Sequence, residues 1–259
     1  SKIVKLNFEK RGIKIKTNSA LKSVTNKENS VSAEIITNEK VETINSEKLI
    51  LAIGIIANTE KLGLKDFNVK IDKGHIVTNE FLETDEKGVY AIGDVTDGPW
   101  LAHKASHEGV LCVEKIAGHQ NLKPIDKTSI PGCTYCRPQV ASIGMTETQA
   151  RSKNLNLKIG KFPFIGNGKA IALGESEGLI KTIFNKDTGE LIGAHMVGPE
   201  VTELIQGFSI AKKLETTEQE LMHTIFPHPT LSEGIHESVL DAYNPVSYTH
   251  LRAHETTCH

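Results

Sequence analysis

Short segments in which apolar and polar residues alternate predict β-strands in the first half of the chain. They are residues 13–17, 31–36 and 41–44. Residues 48–53 (KLILAI) and 88–92 (GVYAI) are instead almost continuously apolar. Such a run is typical of a strand buried on both faces of a parallel sheet. We therefore expect two buried strands, the first ending at Gly54 and the second at Gly93-Asp94.

Helical spacing of apolar residues predicts a helix over 1–11 that closes at Gly12, and a long helix over 102–116 that stops at Gly118. After a polar boundary near 121–130, the pattern changes to consecutive strands. These are expected at residues 139–144, 157–164, 179–184 and 191–197, with a capping box at 146–149 and a hairpin turn at 187–189. A helix follows from Pro199, and further helical segments flank 227–233. The sequence predicts an α/β first part and an α+β second part.

Charge and composition exclude several classes of protein. Lys and Arg total 30 against 32 Asp and Glu among 259 residues, which leaves a net charge of −2 and no basic stripe for nucleic acid. The longest apolar run, 49–56, is far shorter than the ~20 residues that span a membrane. No signal peptide opens the chain and four cysteines are too few for a disulfide scaffold, so we expect a reducing, cytoplasmic setting.

Neither end of the sequence has the pattern of a domain end, and the N-terminal end predicts a fragment. Residues 246–256 (VSYTHLRAHET) match the translation of a common sequencing adapter, so 245–259 are interpreted as adapter read-through and excluded from the fold. A native disordered tail is the alternative. The first helix has neither a capping residue nor a Met before it, as expected for the last turns of a longer helix.

The first candidate site follows the run GVYAIGDV. Asp94 comes where a predicted strand ends, and the carboxyl edge of an α/β sheet is where such folds bind ligands. Trp100, Leu101, Ala102 and His103 follow at a helix start, whose free N–H groups suit an electron-rich ligand. The alternatives are an ordinary Gly-Asp turn and core packing of Trp100 and Leu101. Lys104, His107 and Glu108 are interpreted as a solvated helix face.

The second candidate site is the segment PHPTLSE. His228 precedes a proline, and Glu233 follows five residues later on a predicted helix. A histidine paired with a carboxylate is a common general base. The competing interpretation is a capping box, because Thr230-x-x-Glu233 has the spacing by which Glu233 would satisfy a backbone N–H. Cys133 and Cys136 form a CxxC, but without a second CxxC we expect buried free thiols and no metal site.

IGDV, LAHKA and HPTLSE, in this order and separation, resemble the pyridine-nucleotide disulfide oxidoreductases, and within them the dihydrolipoamide dehydrogenases. The similarity runs from Ser1 to about Tyr243 and covers roughly the second half of that family's chain. It implies remnants of the NAD-binding domain (1–57) and of the FAD-binding region (58–123), followed by an α+β dimerisation domain (124–244).

The resemblance also assigns roles. Asp94 would bind the ribityl chain of FAD, and the backbone around Trp100, Leu101, Ala102 and His103 would line the flavin. Gly54 and Leu21 would border the NAD pocket. His228, held by Glu233, would deprotonate dihydrolipoamide at a site completed by the other subunit of a homodimer. The partners implied are lipoyl domains of 2-oxo acid dehydrogenase or glycine cleavage complexes, with no nucleic acid and no membrane.

The departures from the family are equally specific. The FAD and NAD glycine-rich fingerprints and the redox Cys-x4-Cys do not occur in the sequence. We therefore expect the chain as given not to turn over. Glutathione reductase is the rival enzyme, although HPTLSE favours the lipoamide enzyme. A non-catalytic dimerisation module is the rival from another class.

Overall fold

The computed structural model describes residues 1–243. The backbone contacts divide the chain into two compact units, Ser1–Ala57 and the part that begins at Asn58. The segment interpreted as adapter read-through lies outside the described residues. Among the helices of residues 1–243, none is long and apolar enough to cross a membrane.

The first unit is a helix and a three-stranded antiparallel sheet. It consists of α1 (Lys2–Lys10), β1 (Ser19–Lys27), β2 (Ser30–Thr37) and β3 (Lys40–Ser46), with β2 in the middle of the sheet. The strands predicted at 31–36 and 41–44 are confirmed. The strand predicted at 13–17 is wrong, because β2 ends at Thr37 opposite Ser19 and offers no partner to earlier residues.

The buried strand predicted at 48–53 is also wrong. After β3 the chain continues without regular structure, and Ile50 and Ile53 are 87% and 89% exposed. An apolar run becomes an inner strand only when strands on both sides take up its N–H and C=O groups. None of the strands described in this unit pairs with these residues.

The second unit begins with loops around a short hairpin, β4 (Ile71–Asp72) and β5 (His75–Ile76). The strand predicted at 88–92 is reduced to one bridge between Tyr90 and Glu83, because the segment pairs with only one neighbour. A 3-10 turn follows at Gly93–Val95, and then the long helix α2 (Ala102–Ile116), as predicted.

The described residues from Gly132 onward form a five-stranded antiparallel sheet covered by helices. Its elements are β6 (Gly132–Thr134), β7 (Gln139–Gly144), α3 (Glu147–Ser152), β8 (Leu157–Pro163), α4 (Gly168–Ala172), β9 (Leu179–Asn185), β10 (Leu191–Gly198), α5 (Val201–Lys213), α6 (Glu218–His223) and α7 (Glu233–Tyr243). The strand order is β6-β7-β10-β9-β8. The α+β prediction for this part is confirmed, together with the capping box at Thr146 and the hairpin between β9 and β10.

The core lies between one face of this sheet and helices α5, α6 and α7. Buried apolar side chains from both layers contribute: Ala141, Ile143, Ile180, Phe184, Met196, Val201, Ile205, Phe208, Leu221, Ile235 and Val239. The predicted apolar face of α5 is part of this core. Its packing fixes the start of α7, where Glu233 lies.

Candidate functional site

The Gly93–Val95 turn is packed tightly against the start of α2. Gly93 has φ +75°, a conformation that side chains disfavour, and a Cβ at this position would lie 3.3 Å from the Cβ of Ala105. Glycine therefore allows both the turn and the close approach. The contact brings Asp94 to the N-terminal end of α2.

Asp94 and the start of α2 offer unused hydrogen-bonding groups. Asp94 is exposed, and its carboxylate has no hydrogen-bond partner among residues 1–243. Leu101 precedes α2 without a side-chain cap, and the helix's own bonding starts with Ala105 N–H donating to Leu101 O. Free N–H groups at a helix start attract electron-rich ligand atoms. The turn thus presents an acceptor for hydroxyl groups beside donors for a polar ring edge.

The four residues predicted around the helix start have different surroundings. The half-buried Trp100 ring meets the His75 ring edge-on at 5.7 Å between centroids. His103 is exposed, and its Nε2–H donates to Pro131 O at 2.9 Å. Leu101 is half-buried and Ala102 is exposed. The rings of Trp100 and His103 are held by neighbours, which leaves the backbone of the segment for a ligand.

The interpretation of Lys104 and Glu108 as a solvated face is wrong. Their side chains are 1% and 8% exposed, and Lys104 Nζ lies 3.0 Å from Glu108 Oε1. They share the buried face of α2 with Leu111 and Cys112. The spacing of residues 104, 108 and 111, by four and then by three, places them on one face of a helix and could have been recognised in the sequence. It was missed because charged side chains are rarely buried.

The second candidate site is the His228 turn, Pro227–Ser232, which leads into α7. His228 Nδ1 lies 2.8 Å from Glu233 Oε1, and the His228 side chain is 79% exposed. Because a carboxylate oxygen only accepts, Nδ1 carries a proton, and in the neutral imidazole Nε2 therefore has the lone pair. The structure therefore brings together the two residues predicted as a pair.

Glu233 has the second role as well. Its Oε2 accepts from Thr230 N–H at 2.9 Å, which is the capping interaction proposed as the alternative. The Thr230 hydroxyl donates to Pro227 O instead of capping the helix. Partial burial raises the pKa of Glu233. The hydrogen bonds from Thr230 and His228 and the nearby His236 lower it by more, so the pKa lies below its usual range. The carboxylate is thus kept ionised.

Two residues missed in the sequence hold the His228 turn. His236 on α7 donates from Nε2 to Met222 O at 3.0 Å, and its ring lies 5.5 Å from that of Phe226, directly before the turn. Asn167 donates from Nδ2 to Thr230 O at 3.0 Å. Neither contact could be predicted from the sequence, because the two residues that form it are 14 positions apart in one case and 63 in the other. Asn167 thus ties the turn itself to the segment before α4, and His236 ties the residues that lead into the turn to α7.

Of the two cysteines of the CxxC, Cys133 lacks the character of an activated thiol. Cys133 and Cys136 are free and half-buried, not buried as expected. Burial raises the pKa of the Cys133 thiol, and Glu203 adds to the increase, so the thiol stays protonated at neutral pH. Among residues 1–243 no three His, Cys, Asp or Glu side chains are grouped so as to hold a metal ion.

Leu21 and Gly54, predicted to border an NAD pocket, both lie in the first unit. Leu21 is exposed on β1, next to a register shift. Gly54 has φ +138°, and nothing lies within 4 Å of the position of a Cβ. Both are accessible, and their role stays a prediction.

Comparison with known families identifies the class of protein. Residues 1–109 match the family described as pyridine nucleotide-disulphide oxidoreductase, and residues 130–239 match the dimerisation domain of the same family. The chain belongs to the pyridine nucleotide-disulphide oxidoreductases. The resemblance found in the sequence motifs is thereby confirmed.

Relatives that carry the name dihydrolipoyl dehydrogenase, one enzyme of this class, are similar to the chain along most of its length. The chain is 55% identical to a dihydrolipoyl dehydrogenase of Rhizobium etli over 245 residues, which covers 94% of this chain and 51% of the relative. It is 55% identical to that of Zymomonas mobilis, with 91% and 51% covered, and 41% identical to that of Bacillus subtilis, with 93% and 51% covered. The chain thus spans about half the length of these relatives, which is consistent with the expected fragment.

Solved structures agree at the level of the fold. LpdA from Mycobacterium tuberculosis superposes with a TM-score of 0.84 at 25% identity, covering 92% of this chain and 51% of that one. The flavoprotein disulfide reductase RclA from Escherichia coli gives 0.82 at 20% identity, covering 92% and 54%, and shows the fold alone.

Proposed function

We propose that this chain is part of a dihydrolipoyl dehydrogenase, which oxidises protein-bound dihydrolipoamide with NAD+ through FAD and a redox disulfide that is not in this sequence. The observation that carries the proposal is the His228–Glu233 pair, bonded at 2.8 Å with the imidazole exposed. The similarity to the Rhizobium etli and Zymomonas mobilis enzymes supports the choice of dihydrolipoamide.

The pair suits the removal of a proton from a thiol. Nε2 of His228 has a free lone pair and faces outward, while Glu233 holds the ring and stabilises the imidazolium that forms. A thiol near its usual pKa of about 8.5 is mostly protonated at neutral pH, so a base is needed to make the attacking thiolate.

The chemistry is a thiol–disulfide exchange. His228 takes the proton of the first substrate thiol, and the thiolate attacks the enzyme disulfide, forming a mixed disulfide and releasing one enzyme thiolate. His228 passes this proton to the released enzyme thiolate and takes the proton of the second substrate thiol. The second substrate thiolate then attacks the substrate sulfur of the mixed disulfide and releases the second enzyme thiolate, which receives the proton from His228. The substrate leaves as a cyclic disulfide, two electrons poorer, and the enzyme disulfide becomes a dithiol.

The Gly93–Val95 turn fits FAD. The unpartnered Asp94 carboxylate suits ribityl hydroxyls, and the uncapped start of α2 suits the polar edge of the flavin ring next to Leu101, Ala102 and His103. The bound flavin would supply two-electron transfer between the dithiol and the nicotinamide. Leu21 and Gly54 would border NAD.

The proposal includes a homodimer whose second subunit supplies the disulfide that His228 serves. The match of residues 130–239 to the dimerisation domain supports it. Lipoyl domains of 2-oxo acid dehydrogenase or glycine cleavage complexes would bring the substrate. We place the enzyme in the cytoplasm, where the three described cysteines, all free, would remain reduced.

The proposal is tested by His228→Gln in a full-length enzyme, made by joining residues 1–243 to the part of the Rhizobium etli relative that they do not match. We expect dihydrolipoamide oxidation to fall by about 10²–10⁴-fold, the usual contribution of a general base, with FAD still bound. NADH formation and the flavin absorption spectrum are the two measurements.

Cys133→Ser with Cys136→Ser provides the contrast. Because the Cys133 thiol has a raised pKa, the double variant should keep most of its turnover and lose only some stability. An inactive serine variant beside an active His228→Gln would overturn the assignment.

A further inference from the structure

An ion pair of α2 is buried at the turn that carries Asp94. The Lys104 and Glu108 side chains are 1% and 8% exposed and lie 3.0 Å apart. Charged groups in a protein interior need hydrogen bonds as well as each other, because burial removes their hydration. The other hydrogen-bond partners of Lys104 and Glu108 show which segment of the chain the ion pair fixes.

The remaining hydrogen bonds of both side chains go to one short segment. Glu108 Oε2 accepts from Gly93 N–H at 2.6 Å. Lys104 Nζ donates to Gly93 O at 3.2 Å and to the Thr96 hydroxyl oxygen at 3.1 Å. The Thr96 hydroxyl in turn donates to Gly93 O at 2.7 Å. The pair therefore hydrogen-bonds both the N–H and the C=O of Gly93, the residue directly before Asp94.

We propose that Lys104 and Glu108 are positioning residues for flavin binding: they lock the Gly93–Val95 turn onto α2, so that the Asp94 carboxylate and the free N–H groups at the start of α2 keep a fixed separation. The proposal rests on the proposed function. Neither side chain would touch the flavin, and both act through the backbone of Gly93.

Stability alone does not account for the pair. Apolar side chains of similar volume often replace a buried ion pair without loss of stability. Apolar side chains cannot, however, accept from Gly93 N–H or donate to Gly93 O. A ligand that bonds both to the Asp94 turn and to the start of α2 binds more tightly when the two segments are already fixed relative to each other. Each segment that must be ordered on binding costs free energy.

The test measures FAD affinity in the full-length enzyme described above, by titrating the apo-protein and following the quenching of flavin fluorescence. Lys104→Met with Glu108→Leu should raise the Kd for FAD by about 10- to 100-fold, the range found for outer-shell partners in metal sites. Lys104→Met with Glu108→Gln should recover part of the affinity, because the Gln carbonyl can still accept from Gly93 N–H.

Two controls separate positioning from general destabilisation. Lys5→Met with Glu9→Leu removes an exposed pair of the same residues at the same spacing, and should leave the Kd unchanged. Gly160→Ala should lower the Tm through the distant contact of β8 with α7, without changing the Kd. An equal loss of FAD in Gly160→Ala at a similar Tm would overturn the proposal.

The outcomes distinguish this proposal from the proposed function. An unmodified enzyme that does not bind FAD refutes the proposed function. An unmodified enzyme that binds FAD, beside a Met/Leu variant of equal affinity, refutes the positioning role alone. If the Met/Leu variant does not fold, Thr96→Val replaces it: this change removes one acceptor of Lys104, and an unchanged Kd would refute the proposal.

Discussion

Glu233 shows how one side chain serves two purposes that the sequence presents as alternatives. One carboxylate oxygen accepts a hydrogen bond from the Thr230 N–H before α7, and the other accepts one from His228 Nδ1–H. A glutamine would keep an acceptor but lose the charge. We therefore expect Glu233→Gln to reduce turnover less than His228→Gln does.

The lowered pKa of Glu233 predicts a dependence of stability on pH. A carboxyl group whose pKa is lower in the folded state stabilises the fold above its unfolded pKa, about 4.3 for Glu, and loses that contribution as the pH falls through the folded value. The difference in free energy of unfolding between wild type and Glu233→Gln should thus be largest above that pH and shrink below it. Urea unfolding at several pH values measures this.

Glu80→Gln is the control for that series, because Glu80 is exposed and its carboxylate has no hydrogen bond among the described residues. The free energy difference for this variant should stay near zero at each pH. A difference for Glu233→Gln that grows on acidification would contradict the explanation.

At the scale of elements, a close approach at a glycine joins α7 to the sheet. A Cβ at Gly160 on β8 would lie 1.7 Å from Ser238 O on α7, and the neighbouring Thr182 hydroxyl donates to the same oxygen at 3.0 Å. The absence of a side chain at Gly160 therefore sets the distance between α7 and β8. That distance positions Glu233 at the first turn of the helix.

Gly160→Ala should lower the free energy of unfolding by about 2–3 kcal/mol, because backbone rather than a flexible side chain must move. Urea unfolding followed by far-UV circular dichroism checks this. Gly168→Ala, at the start of α4 with nothing within 4 Å of the new methyl group, should change stability by less than about 0.5 kcal/mol. Equal effects of the two variants would rule out the packing argument.

At the scale of the whole molecule, the region that matches the dimerisation domain exposes large apolar side chains. Leu214, just after α5, is 72% exposed and Ile225, before the His228 turn, is 94% exposed. Interfaces of permanent dimers are more apolar than the rest of a protein surface. We infer that they are covered in the dimer.

Residues 1–243 should sediment as a dimer, and Leu214→Glu with Ile225→Glu should shift the population towards monomer while the sheet remains folded, because buried charge disfavours association. Ile55→Glu is matched to Leu214 in exposure, also at 72%, but lies outside the dimerisation region, so it should leave the dimer intact. Sedimentation velocity over a range of concentrations distinguishes these cases, and a wild-type monomer throughout would contradict the inference.

The sequence by itself determined the local structure of this protein. The capping box at Thr146, the hairpin between β9 and β10, the apolar face of α5 and the length of α2 all follow from residues within a few positions of each other, and each is present in the structure. The family motifs likewise depend on short, contiguous residue patterns. Local hydrogen bonding and side-chain periodicity contain enough information for such features.

Only the tertiary structure decided burial and pairing. Residues 48–53 have the composition of an inner strand, but no described strand pairs with them, and Lys104 and Glu108 look solvated until Gly93 and Thr96 are seen bonded to them. His236 and Asn167 support the His228 turn and the residues before it through contacts that no sequence pattern predicts. The physical reason is that the free energy of burying a group depends on partners brought together from distant positions in the chain.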